Sequence, residues 1–121
     1  MISNPKSAIL LIGKDDALNY LFGRFAEQSG YQLAGNTEDI SVSEIETVKP
    51  AVIIFLSPDV LSKRQPLVTE LSSHDSPIVV CLSAAEEVGA RELGADYCLF
   101  HPISYDDFQT ALRTITSSNQ F

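Results

Sequence analysis

Residues Ala51 to Pro58 read Ala-Val-Ile-Ile-Phe-Leu-Ser-Pro. A continuous apolar run with β-branched members, preceded by Pro50 and closed by Ser57-Pro58, suits a strand buried on both faces. Such strands lie in parallel α/β sheets, whose ligands collect at the strands' carboxyl ends. Leu56, Ser57 and Asp59 therefore mark where chemistry is to be sought. An aliphatic side chain at that tip is a poor chemical tool.

Similar runs lie on either side, at Ala8–Ile12 (AILLI), Ile78–Leu82 (IVVCL) and Tyr97–Phe100 (YCLF). Tyr31–Gly35 (YQLAG) is short and weakly apolar, as suits an edge strand. Helical patterns fill the intervals. Asp15 or Asp16 caps a helix whose Leu18, Leu21, Phe22 and Phe25 fall at i, i+3, i+4 and i+7, ending near Ser29-Gly30. Ser41 and Glu44 form a capping box before Val42, Ile45 and Val48, and Pro50 stops that helix. Between Pro58 and Ser76 the only helical pattern is Leu67, Val68 and Leu71, which places a helix starting at Pro66. SAAEEVGARELGAD (83–96) reads as a short helix interrupted by Gly89 and closed by Gly94. Ser104 and Asp107 cap the last helix, Ile103 staples against Phe108, and Phe108, Ala111, Leu112 and Ile115 supply its stripe.

Five strands alternating with five helical segments predict a flavodoxin-like, doubly wound (βα)5 three-layer sandwich with parallel strand order 2-1-3-4-5 and right-handed crossovers. A single domain is expected over 1–121, with a polar N-terminal lead at 1–7 and a frayed tail at 117–121.

Sixteen acidic against eight basic residues give a formal net charge of -8, with no basic run. Direct nucleic-acid binding needs a basic patch, and an anionic membrane surface would repel the chain. No stretch approaches the about 20 apolar residues of a membrane span, and MISNPKS lacks the basic start of a signal peptide. The expectation is a cytoplasmic protein. Cys81 and Cys98 lie in apolar runs outside any C-x-x-C or Cys/His cluster, so they read as buried free thiols.

The ordered set KPAVIIFL, PIVVCLSA and GADYCLFHPI resembles a response-regulator receiver domain over nearly the whole chain. The last segment is similar to that family's G-A-D-D-Y-L-V-K-P-F. The family phosphorylates an aspartate after strand 3, binds Mg²⁺ through two acids after strand 1, and gathers phosphoryl oxygens with a Ser/Thr after strand 4 and a Lys after strand 5. Hard oxygen ligands, a carboxylate nucleophile and a cation suit that chemistry.

Carried over by position, the resemblance implies a degenerate pocket of Gly13, Lys14, Asp15, Leu56, Leu82, Ser83, His101 and Pro102. Leu56 replaces the phosphoacceptor, so the usual aspartyl phosphate has no nucleophile and no catalytic residue is assigned. Gly13 and Lys14 replace the acid pair, which implies that Mg²⁺ is not held and that no cofactor is needed. Leu82 falls at the hydroxyl position with Ser83 one residue later. His101 replaces the lysine, and Pro102 implies a cis peptide before it. The family's aromatic switch position holds Cys98, with Tyr97 on the opposite face of the strand.

The resemblance thus implies a non-enzymatic pseudo-receiver: a phosphorylation-independent interaction or regulatory module of two-component signalling, with a protein partner. The family's fourth-helix, fifth-strand, last-helix face implies Glu92, Tyr97, Tyr105 and Arg113 as surface candidates, and a homodimer through that face as one option. One alternative is an atypical receiver using Asp59 as acceptor with Asp15 and Asp16 as metal ligands. Another is a small-ligand or electron-transfer module, although GKDDAL lacks the hydroxyls that a flavin phosphate needs. A third concerns His101, Ser83 and Lys14, which could converge to bind phosphate or sulfate noncovalently.

Overall fold

The computed structural model describes residues 7–36, 39–71 and 77–118. Strands Ala8–Ile12 (β1), Gln32–Asn36 (β2), Val52–Phe55 (β3), Ile78–Leu82 (β4) and Tyr97–Phe100 (β5) form one parallel sheet in the order β2-β1-β3-β4-β5. The flavodoxin-like order expected from the alternation of apolar runs is the order found. The β3 strand lies centrally, with Ile12 beside Phe55 on one side and Val80 beside Phe55 on the other. All four of its residues are buried.

Among the described residues six α-helices cover the sheet: Asp16–Ser29 (α1), Val42–Val48 (α2), Pro58–Lys63 (α3), Gln65–Leu71 (α4), Glu87–Glu92 (α5) and Tyr105–Ser118 (α6). Strand side chains alternate between faces, and this divides the interior into two cores. Ile9, Leu11, Ile54, Val79 and Leu99 pack with Phe22, Phe25, Phe108 and Leu112 of α1 and α6. The Phe108 ring centroid lies 5.8 Å from that of Phe22 and 5.3 Å from that of Phe25. On the other face Leu10, Ile12, Ile53, Phe55 and Val80 pack with residues of α2 to α5, among them Ile45, Leu61, Leu67 and Ala90. None of α2 to α5 exceeds 7 residues. Helices that short are marginal alone, so apolar burial, about 1.5–3 kcal/mol per large side chain, holds them in place.

Local signals explain the boundaries. Asp15 caps α1, and Gly30 closes it at φ 82°. The Ser41–Glu44 box opens α2. The Ser104 hydroxyl accepts from the Asp107 N–H at 3.1 Å, and Ile103 joins Phe108 in the same core.

Two details differ from the sequence reading. The helix placed from Pro66 is found as α4, but a further helix, α3, precedes it: the Ser57 hydroxyl accepts from the Val60 N–H at 3.2 Å and Pro58 stands in the first turn of α3. A break at Arg64 follows, where the Gln65 amide donates to the Leu61 carbonyl at 2.9 Å and to the Leu93 carbonyl at 3.0 Å. Proline pre-set for a helix start outweighs its reading as a strand stop. Gly89 does not interrupt α5; a 3-10 turn at Ala84–Glu86 precedes that helix instead. Ser117 and Ser118 of the expected tail lie within α6. The rest of the expected tail, 119–121, and residues 1–6 of the lead lie outside the described residues.

Candidate functional site

The tips of β1 and β3 meet at Gly13 and Leu56. The Leu56 N–H donates to the Ile12 carbonyl at 3.0 Å, continuing the pairing past β3. Gly13 has φ 133°, a conformation that side-chain-bearing residues rarely adopt. A Cβ on Gly13 would stand 3.1 Å from Leu56 Cβ and 3.5 Å from Val60 Cγ2. Leu56 itself is only 4% exposed and belongs to the core beneath α1 and α6. The strand 3 tip is therefore closed by an aliphatic side chain lying against the first loop.

The nearby acids serve the helices. Asp15 Oδ1 accepts from the Leu18 N–H at 3.0 Å, while Asp16 is exposed in the first turn. Carboxylates there satisfy orphan N–H groups and favour the helix dipole. Lys14 is exposed. Asp59 lies in the first turn of α3 and pairs with Lys63 at 3.0 Å, with the two side chains 73% and 68% exposed, respectively. Among the described residues no three His, Cys, Asp or Glu side chains are grouped to hold a metal ion. Asp15, Asp16 and Asp59 are thus not brought together as a ligand set.

At the tips of β4 and β5, Leu82 is buried and Ser83 is exposed. The His101 N–H donates to the Leu82 carbonyl at 3.0 Å, and the His101–Pro102 peptide is cis, as the resemblance implied. The Ser83 N–H and hydroxyl both donate to Glu86 Oε1, at 2.9 and 3.0 Å. Those two bonds, the backbone one first, and then the nearby His101 hold the Glu86 carboxyl below the ordinary range. Glu86 is the pocket residue that the sequence reading missed. Its signal was present: Ser83-x-x-Glu86 has the same spacing as Ser41-x-x-Glu44. The hydroxyl read as an anion partner is therefore committed to a carboxylate, which repels anions.

The four surface candidates do not form one patch. The Tyr105 ring centroid lies 5.4 Å from that of Phe25 and 6.3 Å from that of Phe108, so it packs toward α1. Arg113 lines a hollow of about 150 Å³ with Ser29, Tyr31, Gln109 and Leu112, also on the α1 side. Glu92 is exposed on α5 and Tyr97 is half-buried on β5. Along β5 a separate groove of about 140 Å³ is lined by Tyr97, Cys98, Leu99, Phe100, Asp107 and Thr110. Phe100 is 37% exposed there, and Val88 on α5 is 73% exposed. Cys81 and Cys98 are free and buried, as expected. Burial, assisted by the charge of Asp15, pushes the Cys81 thiol up to about 12.

No family model matches the chain, and no curated protein matches it in sequence. Solved structures do resemble it. NtrX from Brucella abortus, in complex with ADP, is 18% identical with a TM-score of 0.72; the match covers 95% of this chain but 27% of that one. The signal receiver domain of a Luxo repressor protein from Vibrio parahaemolyticus is 20% identical with a TM-score of 0.66, covering 95% and 96% of the two chains. The receiver domain of a signal transduction histidine kinase from Syntrophus aciditrophicus is 15% identical with a TM-score of 0.74, covering 94% and 92%. In described residues no helix is long and apolar enough to cross a membrane. The sheet order and these likenesses agree on one conclusion: the chain has the fold of response-regulator receiver domains.

Proposed function

We propose that this chain is a pseudo-receiver of two-component signalling, a non-enzymatic regulatory module that works by contact with a protein partner and is not switched by an aspartyl phosphate. The observation carrying this reading is the contact between Leu56 and Gly13. A hydrocarbon occupies the acceptor position, and Gly13 offers no ligand where a metal-holding acid belongs. Lys14 adds a positive charge beside it, and Asp15 is engaged as a helix cap. These residues do not suit an oxygen-coordinated Mg²⁺. The net charge of -8 argues against direct nucleic-acid contact. Partner contact is assigned to the β5–α6 groove, since Tyr105 and Arg113 face the other way.

Incubation with acetyl phosphate and Mg²⁺, followed by intact-protein mass spectrometry, tests the reading. The mass is expected to stay unchanged. A stoichiometric phosphoryl adduct that disappears in Asp59→Asn would overturn it in favour of displaced acids.

A further inference from the structure

The β5–α6 groove has a composition that specifies its occupant. Among the described residues the β5 strand is the last of the sheet and pairs with β4 alone, so one side of its backbone carries no strand neighbour there. The groove along it combines an apolar floor, including the partly exposed Phe100, with the Asp107 carboxylate on its α6 side. Exposed Asp106 precedes Asp107, exposed Glu92 lies on α5, and exposed Glu86 carries a carboxyl held below its ordinary range at the strand tips. Arg91 on α5 acts electrostatically on Cys98 but is bonded to Glu87 at 3.0 Å. Exposed His101 follows Phe100, the last residue of β5. Asp107 is thus the charged residue that lines the groove, in a chain of net charge -8.

From this we infer that the groove receives a cationic, amphipathic segment of a protein partner, with an apolar side chain packed on Phe100 and a lysine or arginine side chain facing Asp107. An unpaired strand edge supplies main-chain bonds to an extended segment, pockets along it select alternate side chains, and complementary charge steers the encounter. A second copy is the poorer occupant, because two such faces would bring like charges together at a net -8 per chain. The inference rests on the reading above that the chain acts by protein contact, and it adds the partner's chemistry.

The test uses the full chain and a short fluorescein-labelled peptide of alternating lysine and leucine, with a glutamate–leucine peptide as its opposite. Fluorescence anisotropy is expected to show saturable binding of the lysine peptide only, with amide shifts confined to 97–100, 107 and 110. Phe100→Ser and Asp107→Asn are each expected to weaken binding by about threefold to tenfold, with unchanged circular dichroism. Failure of both peptides to bind, equal binding of both, or shifts centred on the outer face of α1, where Arg24 donates to the exposed Tyr20 hydroxyl, would overturn the inference. Concentration-dependent dimerisation with shifts on this groove, and no peptide binding, would assign the groove to a second copy and overturn it too. None of these outcomes bears on phosphorylation, which the mass measurement reads separately.

Discussion

Leu56 and Gly13 are fitted to each other: the glycine's missing Cβ leaves the space that the leucine side chain fills, 3.1 Å from where that Cβ would stand. Each residue therefore constrains the other. In a pocket built for phosphoryl transfer this place would hold carboxylates and an ion; here it is an extension of the core.

Truncating the leucine opens a cavity at the sheet's central tip. Leu56→Ala is expected to lower stability by about 2–5 kcal/mol, since the site is 4% exposed. Urea unfolding followed by circular dichroism checks it; a loss below about 1 kcal/mol would show that the contact matters little.

Gly13→Ala meets both a steric and a conformational obstacle, a 3.1 Å contact and φ 133°. A cost of about 1–3 kcal/mol is expected in the same assay. Gly89→Ala serves as the control, because a Cβ there meets nothing within 4 Å and the residue is helical. It is expected to stabilise by about 0.4–1 kcal/mol.

The Glu86 carboxyl titrates below its ordinary value, with Ser83 as the largest cause. Ser83→Ala keeps the backbone bond and loses the hydroxyl, so the carboxyl should move part of the way back up, and His101→Gln should move it less. Side-chain carbon shifts followed against pH measure both. The depressed value implies stability that is present above the unfolded chain's pKa and is lost as pH falls through the folded one. Ser83→Ala should flatten the acid limb of the stability curve.

Cys81 has the opposite sign. Its thiol is raised from 9.0 to about 12, chiefly by burial, so between those values the folded chain keeps a proton that the unfolded chain has released. Its contribution to stability is complete below pH 9 and declines toward pH 12. Cys98 is raised as well, by burial first, with Arg91 opposing. An aromatic disulfide reagent at mildly alkaline pH should label neither thiol in the native chain and both after denaturation. Rapid native labelling at Cys98 would show that the groove opens to its floor.

Much of this was legible in the chain itself. The apolar runs specified β1, β3, β4 and β5, because a strand buried on both faces admits no polar residue. Their alternation with helical stripes specified the strand order, because parallel strands need covered crossovers. The Ser41–Glu44 and Ser104–Asp107 spacings located two helix starts, since a cap is a local contact. The same local logic was available at Ser57-Pro58 and at Ser83–Glu86, where a strand stop and one short helix over 83–96 were read instead.

What only the tertiary structure decided is how residues far apart in sequence face one another. That Leu56 closes on Gly13 depends on β1 and β3 being neighbours in register. That Tyr105 and Arg113 turn toward α1, leaving Phe100 and Asp107 to line the β5 groove, depends on the rotation of α6 about its own axis. Periodicity identifies which side chains of a helix are buried, but the neighbours flanking its exposed face are set by packing across the sheet. The sequence alone thus determined the fold and the aliphatic residue at the strand 3 tip; tertiary packing decided what that residue lies against and which side chains line the β5 groove.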